Sequence, residues 1–391
     1  MRFRLEARAQ PSRLMGWLSP VLAALLTVVA GFVLFSALGR DPLAAFHTFF
    51  IHPIRDLNGL AELLQKASPL MIMAIGLACG YRANVWNIGA EGQLILGAIC
   101  AGGVALWFHE SQSALVLPAM LLAGMAGGML WAAIPALLRT RCNTNEILVS
   151  LMLVYVAGLL LSWLVHEPWK DPDGFNFPQS RMFSDSALYP MLIEGTRLNA
   201  GFLVSLATVA VGYVLLDRSF VGYQMRVGGL ADAAARYAGF KSRRMVWLGM
   251  LIGGGAAGIA GMGEVAGPIG QLQPLVSPGY GFAAIIVAFV GRLRAFGILL
   301  ASLLMSLLYL GGEAAQMGLG LPSSITGLFQ GMLLFFLLGS DVFINYRLRA
   351  VRPALAPVDS RAGKSEQAAE VARAAEVVES AEAAKSAEAG A

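Results

Sequence analysis

The chain has 391 residues, 57% of them hydrophobic and only 13% charged, with a formal net charge of +4. A soluble domain is about 25% charged, so this composition excludes an ordinary soluble enzyme, a disordered chain and a disulfide scaffold. The basic residues are spread between apolar runs and not clustered, which argues against a nucleic-acid partner.

Glycine is also frequent, at 45 residues, as it is in membrane helices. A helix needs about 20 apolar residues to cross about 30 Å of hydrocarbon. Apolar runs predict spans near 17–39, 61–80, 91–108, 114–138, 146–165, 199–216, 246–264, 280–291, 297–317 and 324–340. They are too long and continuous for barrel strands, which alternate over segments of about 10 residues. The eighth run is short and flanked by glycine. It predicts a broken or re-entrant helix, tolerated only where its backbone faces protein or a cavity. The expected fold class is all-α, a polytopic helical membrane protein of about ten transmembrane helices with both termini cytoplasmic.

Charge supports that orientation. The inside segments carry Arg2, Arg4, Arg8 and Arg13, then Arg82, Arg139 and Arg141, six basic residues between Arg218 and Arg244, then Arg292, Arg294, Arg347, Arg349 and Arg352. The outside segments carry only Arg40, Arg55, Lys170, Arg181 and Arg197, the asymmetry of the positive-inside rule. The first apolar run is too long for a signal-peptide core and no small-residue cleavage site follows it, so it reads as a first span. Cys79, Cys100 and Cys142 suggest no pairing and read as reduced small hydrophobes.

Residues 1–345 make up the expected transmembrane domain. Two of its outer stretches are long enough to fold. Residues 40–60 hold His47, Phe49, Phe50 and His52, and the external loop 166–198 carries HEPWKDPDGFNFPQSRMF. Each is either an ordered cap or a docking surface for an external partner. The tail 355–391 turns to Ala, Glu, Lys and Ser and predicts a solvated cytoplasmic appendix.

Enzyme motifs are missing. His109-Glu110 and His166-Glu167 are followed by Ser113 and Lys170 where a zinc protease needs its second histidine. No G-x-S-x-G elbow occurs. Gly363-Lys364-Ser365 has Val358 where a phosphate loop needs its first glycine. The chain is expected to bind no metal or cofactor and to hydrolyse no ATP alone.

Three polar clusters interrupt apolar sequence: Asn84, Asn87, Glu91 and Gln93; Glu264 and Gln271; and Glu313 with Gln316. Carboxylates and amides are costly in hydrocarbon, so they face a bundle interior or a watery path. For the first cluster two readings stand. It is a packed elbow in which Glu91 caps a helix or pairs with Arg82, or it lines a substrate path or gate. The second cluster echoes it weakly, since Gly89–Gln93 and Gly261–Glu264 share an order of Gly and Glu. Glycine-interrupted segments of this kind mark binding sites in transporters. Neutral amides with few fixed charges suit an uncharged, hydrogen-bonding solute.

The loop 217–245 differs in character. ADAAARYAG predicts a short helix closed by Gly239. It is either a basic membrane-surface loop or the place where a cytoplasmic motor pushes.

At VWNIGAEGQLILGA (85–98), NEILVSLML (145–153), GFNFPQSR (174–181), VGYQMRVGG…AAARYAGF (221–240), GPIGQLQPLVSPGYGFAAIIVAFVGRLRAFGI (267–298) and GGEAAQMGLGLP (311–322), the chain resembles a family. The family is that of bacterial ABC importer permeases of the nucleoside, ribose and branched-chain amino acid branch, and the resemblance is strongest to the nucleoside permeases. It implies a bacterial inner-membrane location, a second permease subunit, ATPase subunits that bind ATP and magnesium, and an external binding protein or lipoprotein. It also implies that Arg226 to Gly239, with Ala234, Arg236 and Tyr237, form a coupling helix seated in the ATPase. The chain departs from the family pattern at Val154, Ala231-Asp232 and Arg294-Ala295. The cargo implied is a nucleoside. A pentose, another sugar or an amino acid would suit the same complex, and Trp86, Phe282 and Phe289 either stack a base or pack. A gradient-driven transporter relaying protons through Glu91 and Glu264 is the alternative of another class.

Overall fold

A computed structural model describes residues 2–8 and 12–351; the tail 355–391 lies outside them. Among the described residues nine helices are long and apolar enough to cross a membrane, and Tyr280–Val290 adds a shorter apolar helix. The helices are α1 (Arg13–Ala37), α2 (Pro42–Phe46), α3 (Leu57–Arg82), α4 (Ala90–Trp107), α5 (Val116–Cys142), α6 (Glu146–His166), α7 (Gly201–Tyr213), α8 (Phe220–Leu230), α9 (Asp232–Tyr237), α10 (Ser242–Glu264), α11 (Tyr280–Val290), α12 (Ala295–Leu319) and α13 (Ser324–Asn345). The predicted spans coincide with them to within a few residues, including the short eighth, which is α11.

Local chemistry sets the boundaries. Asp56 accepts from the Gly59 N–H at 2.8 Å to open α3. Asn145 accepts from Ile147 to open α6, and Ser219 from Gly222 to open α8. Each such cap stabilises its helix by about 1 kcal/mol. Asn143 (φ 52°) closes α5 and Gly320 (φ 63°) closes α12 in the left-handed region.

Residues 18–340 form one compact unit. In it α3 is innermost, with 83% of its apolar window buried against 22% for α7 and α13. Helix α10 packs on α3, α4 and α5 with backbones nearly touching. A Cβ added at Gly258 would lie 2.1 Å from the Gly124 carbonyl oxygen, so only glycine fits there.

The stretch 40–60 is an ordered helical cap: α2, a π-turn (His47–Ile51) and a 3₁₀ turn (His52–Ile54). Phe49 is fully buried and its ring lies 4.7 Å from Phe329. The loop 166–198 is irregular yet stitched to the residues after α10: Ser180 N–H donates to the Leu272 carbonyl, Phe183 to Gly270 and Tyr189 to Ala266. Its tip stays open, with Phe175 93% and Phe177 65% exposed.

The second unit, in its described residues, comprises 2–8, 12–17 and 341–351. In it β1 (Arg2–Ala7) pairs antiparallel with β2 (Tyr346–Val351), Arg2 opposite Val351 and Ala7 opposite Tyr346. The sequence reading expected only helix; the ribbon joins segments too distant in sequence for a hairpin signal.

Candidate functional site

The chain leaves α3 at Arg82 and re-enters helix at Ala90, so residues 83–89 form an elbow. Asn84 (φ 54°) turns the chain back through the left-handed region, which asparagine tolerates. Its side chain accepts from the Trp86 indole at 3.0 Å. Inside the elbow Asn87 and Gln93 answer each other. Asn87 Nδ2 donates to Gln93 Oε1 at 2.7 Å, and Gln93 Nε2 donates back to Asn87 Oδ1 at 3.0 Å. Asn87 Oδ1 also takes the Gly89 N–H at the start of α4. Both amides are 1% exposed, and the reciprocal pair satisfies them without water.

Glu91 stands in the first turn of α4, 6% exposed. Arg82 is not its partner, which corrects that reading. Arg82 instead pairs with Asp217 at 2.8 Å. The Glu91 carboxylate reaches across to the start of α11 and accepts from the Gly281 N–H at 2.6 Å. Gly281 allows this approach, since a Cβ there would lie 2.3 Å from the Glu91 amide nitrogen. The start of α11 resembles that of α4. Ser277 Oγ accepts from Gly279 N–H just as Asn87 Oδ1 accepts from Gly89 N–H. A local likeness to the first cluster thus stands at 277–279, while 261–264 lies within the last turn of α10.

Glu264 is buried at the end of α10, close enough to Glu91 and Lys66 to feel their charges, against a cavity of about 10 Å³ shared with Gln65, Ser68 and Tyr189. Burial holds the Tyr189 hydroxyl up to about 12, so it stays a donor, here to the Met262 sulfur at 3.1 Å. Gln271 donates to Gln179 at 3.2 Å and belongs to the seam with the loop 166–198. Glu313 is exposed and pairs with Lys66 at 2.7 Å. Hydrogen bonding thus divides the predicted polar residues among several partners, while charge links Glu264 to Glu91 and to Lys66, the partner of Glu313. Trp86 and Phe289 stack on one another at 5.8 Å, Phe289 also stacks on Tyr81 at 5.1 Å, and Trp86 lies tilted against Tyr81 at 5.3 Å.

The segment after α7 is two helices, not one running from Arg226 to Gly239. Ala231 (φ −153°, ψ 85°) breaks it into α8 and α9. Helix α9 buries only Ala235. Arg226, Ala234 and Arg236 are exposed, and Tyr237 is 97% exposed. Gly239 (φ 82°) closes α9 as expected. Asp232 pairs with Arg236 at 3.1 Å and accepts from Ser242 at the start of α10. A cavity of about 250 Å³ lies between α8, α9, Asn84 and Arg139; Arg139 is committed to Glu146. Ligand pockets span roughly 300–1,000 Å³, so this one is small for a solute. Sequence reasoning missed the Asp217 partner of Arg82 and missed Ser277 and Gly281; the glycines around Tyr280 were the available signal for the last.

Residues 59–338 match the family described as branched-chain amino acid transport system / permease component. The chain is 36% identical over 376 residues to the glucose ABC transporter permease protein TsgB13 of Haloferax volcanii, covering 92% of this chain and 98% of that protein. It is 26% identical over 331 residues to the nucleoside ABC transporter permease protein NupB of Lactococcus lactis, covering 82% and 90%. It is likewise 26% identical over 330 residues to the guanosine ABC transporter permease protein NupP of Bacillus subtilis, covering 84% and 94%.

Proposed function

The chain belongs to the branched-chain amino acid transport system / permease component family and is an ABC transporter permease; on that premise we propose that it imports an uncharged, hydroxyl-rich solute, in the first place a nucleoside. The observation that carries this reading is the near full-length likeness to permeases of nucleosides and of a sugar. The bundle agrees with a neutral cargo. Its partly buried basic groups Lys66, Arg82 and Arg139 are each held by a carboxylate of the same chain, leaving these three cations committed before an anion arrives. Membership of the family displaces the gradient-driven alternative.

In this account the protein sits in a bacterial plasma membrane with both termini cytoplasmic. An external binding protein delivers the solute to the side carrying the loop 166–198. A second permease subunit, the same or related, completes the path. ATP, with magnesium, binds a partner ATPase docked on α9, and its two states shift the complex between two accesses. Glu91, Asn87, Gln93, Glu264, Gln271 and Glu313 are path or gate residues in this proposal, and Asn84 lines its cytoplasmic mouth.

Uptake of labelled adenosine, uridine, ribose and glucose into cells lacking and then re-supplied with the gene tests it. Nucleoside uptake that survives an uncoupler while ATP is maintained supports the proposal. Glucose uptake alone supports the second reading, which the 36% identical glucose permease favours. Uptake that collapses with the proton gradient contradicts both.

A further inference from the structure

Helix α11 is gripped at both ends by one element. At its start the Glu91 carboxylate accepts from Gly281, and the Ser277 hydroxyl and Gly279 N–H face the same carboxylate. At its far end the Leu293 carbonyl accepts from the Arg82 guanidinium at 3.1 and 2.7 Å. Arg82 closes α3 and Glu91 opens α4, so both grips come from the same elbow. Their signs match the helix dipole, an anion at the positive end and a cation at the negative end. Between the grips the Phe289 ring stacks on Tyr81 at 5.1 Å and on Trp86 at 5.8 Å.

The far grip is built on unusual backbone. Arg292 (φ 59°) and Leu293 (φ 54°) both occupy the left-handed region, which non-glycine residues keep only when their surroundings impose it. That turn presents the Leu293 carbonyl to Arg82. A helix of eleven residues is too short to hold itself in place, so its position is set by what it is fastened to.

Arg82 also reaches the segment leading to α8 and α9. It donates to the Leu216 carbonyl at 2.5 Å and to Asp217 at 2.8 Å. Gly229 of α8 lies against the Arg82 backbone, where an added Cβ would be 2.1 Å from its carbonyl oxygen. Arg82 thus touches the segment after α7 and the turn after α11 with its side chain, and α8 with its backbone.

We propose that residues 82–91 and α11 move as one rigid block, and that Arg82 is the positioning residue through which displacement of segment 214–231 drives it. The driving half rests on the ATPase-coupling reading above; the clamp does not. In this account the moving part is a helix with its elbow, and no single side chain opens alone.

The test uses Trp86→Cys with Phe289→Cys, in a background where Cys79, Cys100 and Cys142 are replaced, joined by a short bis-maleimide in membranes holding the assembled complex. A rigid block gives the same cross-linking yield with and without ATP plus vanadate. Adding Arg82→Gln, which breaks several charge-assisted hydrogen bonds at once, lowers the yield about threefold or more, and Arg82→Lys recovers part of it. A yield unchanged by Arg82→Gln, or a parent yield that shifts with nucleotide, overturns the clamp whatever the cargo or motor. For the drive, Arg82→Gln in the reconstituted complex lowers uptake about tenfold while ATP hydrolysis stays within about twofold. Unchanged uptake, or uptake and hydrolysis falling together, overturns the drive and leaves the ABC assignment untouched.

Discussion

The elbow 82–93 and the segment 220–240 are both polar interruptions between apolar helices, and they resolve their polarity in opposite ways. In the elbow, amides and carboxylate are buried and answered from within the chain: Asn87 by Gln93, Glu91 by Gly281, Arg82 by Asp217 and Leu293. In α9 one alanine turns inward and Arg236 and Tyr237 face out. A buried polar group costs about 1–3 kcal/mol when its partner is lost, whereas exposed ones cost little. The first region is therefore an intolerant joint, and the second is an exposed face.

Substitutions that add bulk or remove partners separate the two. The largest effect expected is from Gly281→Ala. Its Cβ would meet the Glu91 backbone at 2.3 and 2.6 Å, with no flexible side chain to yield. Folded protein, read by size-exclusion of the detergent-solubilised chain, should fall severely, while Gly228→Ala on α8, with open space around it, leaves it unchanged.

Next in size is the amide pair. Asn87→Ala and Gln93→Ala each orphan a buried partner and should destabilise by about 1–3 kcal/mol. The double variant should cost no more than the larger single one, as read in a thermal-unfolding cycle. Simple additivity would break the reciprocal pairing.

Glu91→Gln keeps the shape and loses the charge-assisted bond to Gly281. It should cost about 1 kcal/mol of stability and lower uptake without loss of folded protein. Full uptake would reduce Glu91 to a cap alone. Smallest of all, Glu313→Gln breaks a partly exposed pair with Lys66. Its effect on stability should stay under about 1 kcal/mol, and a larger loss would place Glu313 with the buried group.

Much of this division was legible in the sequence. Long apolar runs located the spans, and the glycines flanking 280–291 foretold a short α11. Gly239 marked the close of α9. What lay beyond reach was pairing across sequence distance. Arg82 sits near Glu91 in the chain, yet its guanidinium meets Asp217, 135 residues away, because α3 ends beside the end of α7. The polar residues Glu91, Glu264, Gln271 and Glu313 look alike as interruptions, but only packing separates them into a helix cap, a buried carboxylate within reach of Glu91 and Lys66, a loop seam and a partly exposed ion pair. The break at Ala231 was legible too, since Gly228 and Gly229 precede it and ADAAARYAG reads as a separate short helix.

The most direct measurement is purification of the tagged chain from its native membranes, followed by assay of vanadate-sensitive ATP hydrolysis in the eluate. The wild-type chain should bring that activity with it. Arg236→Asp with Tyr237→Asp, both on the open face of α9, should remove it at equal recovery of folded permease. ATP hydrolysis undiminished in the double variant would contradict α9 as the seat of the motor.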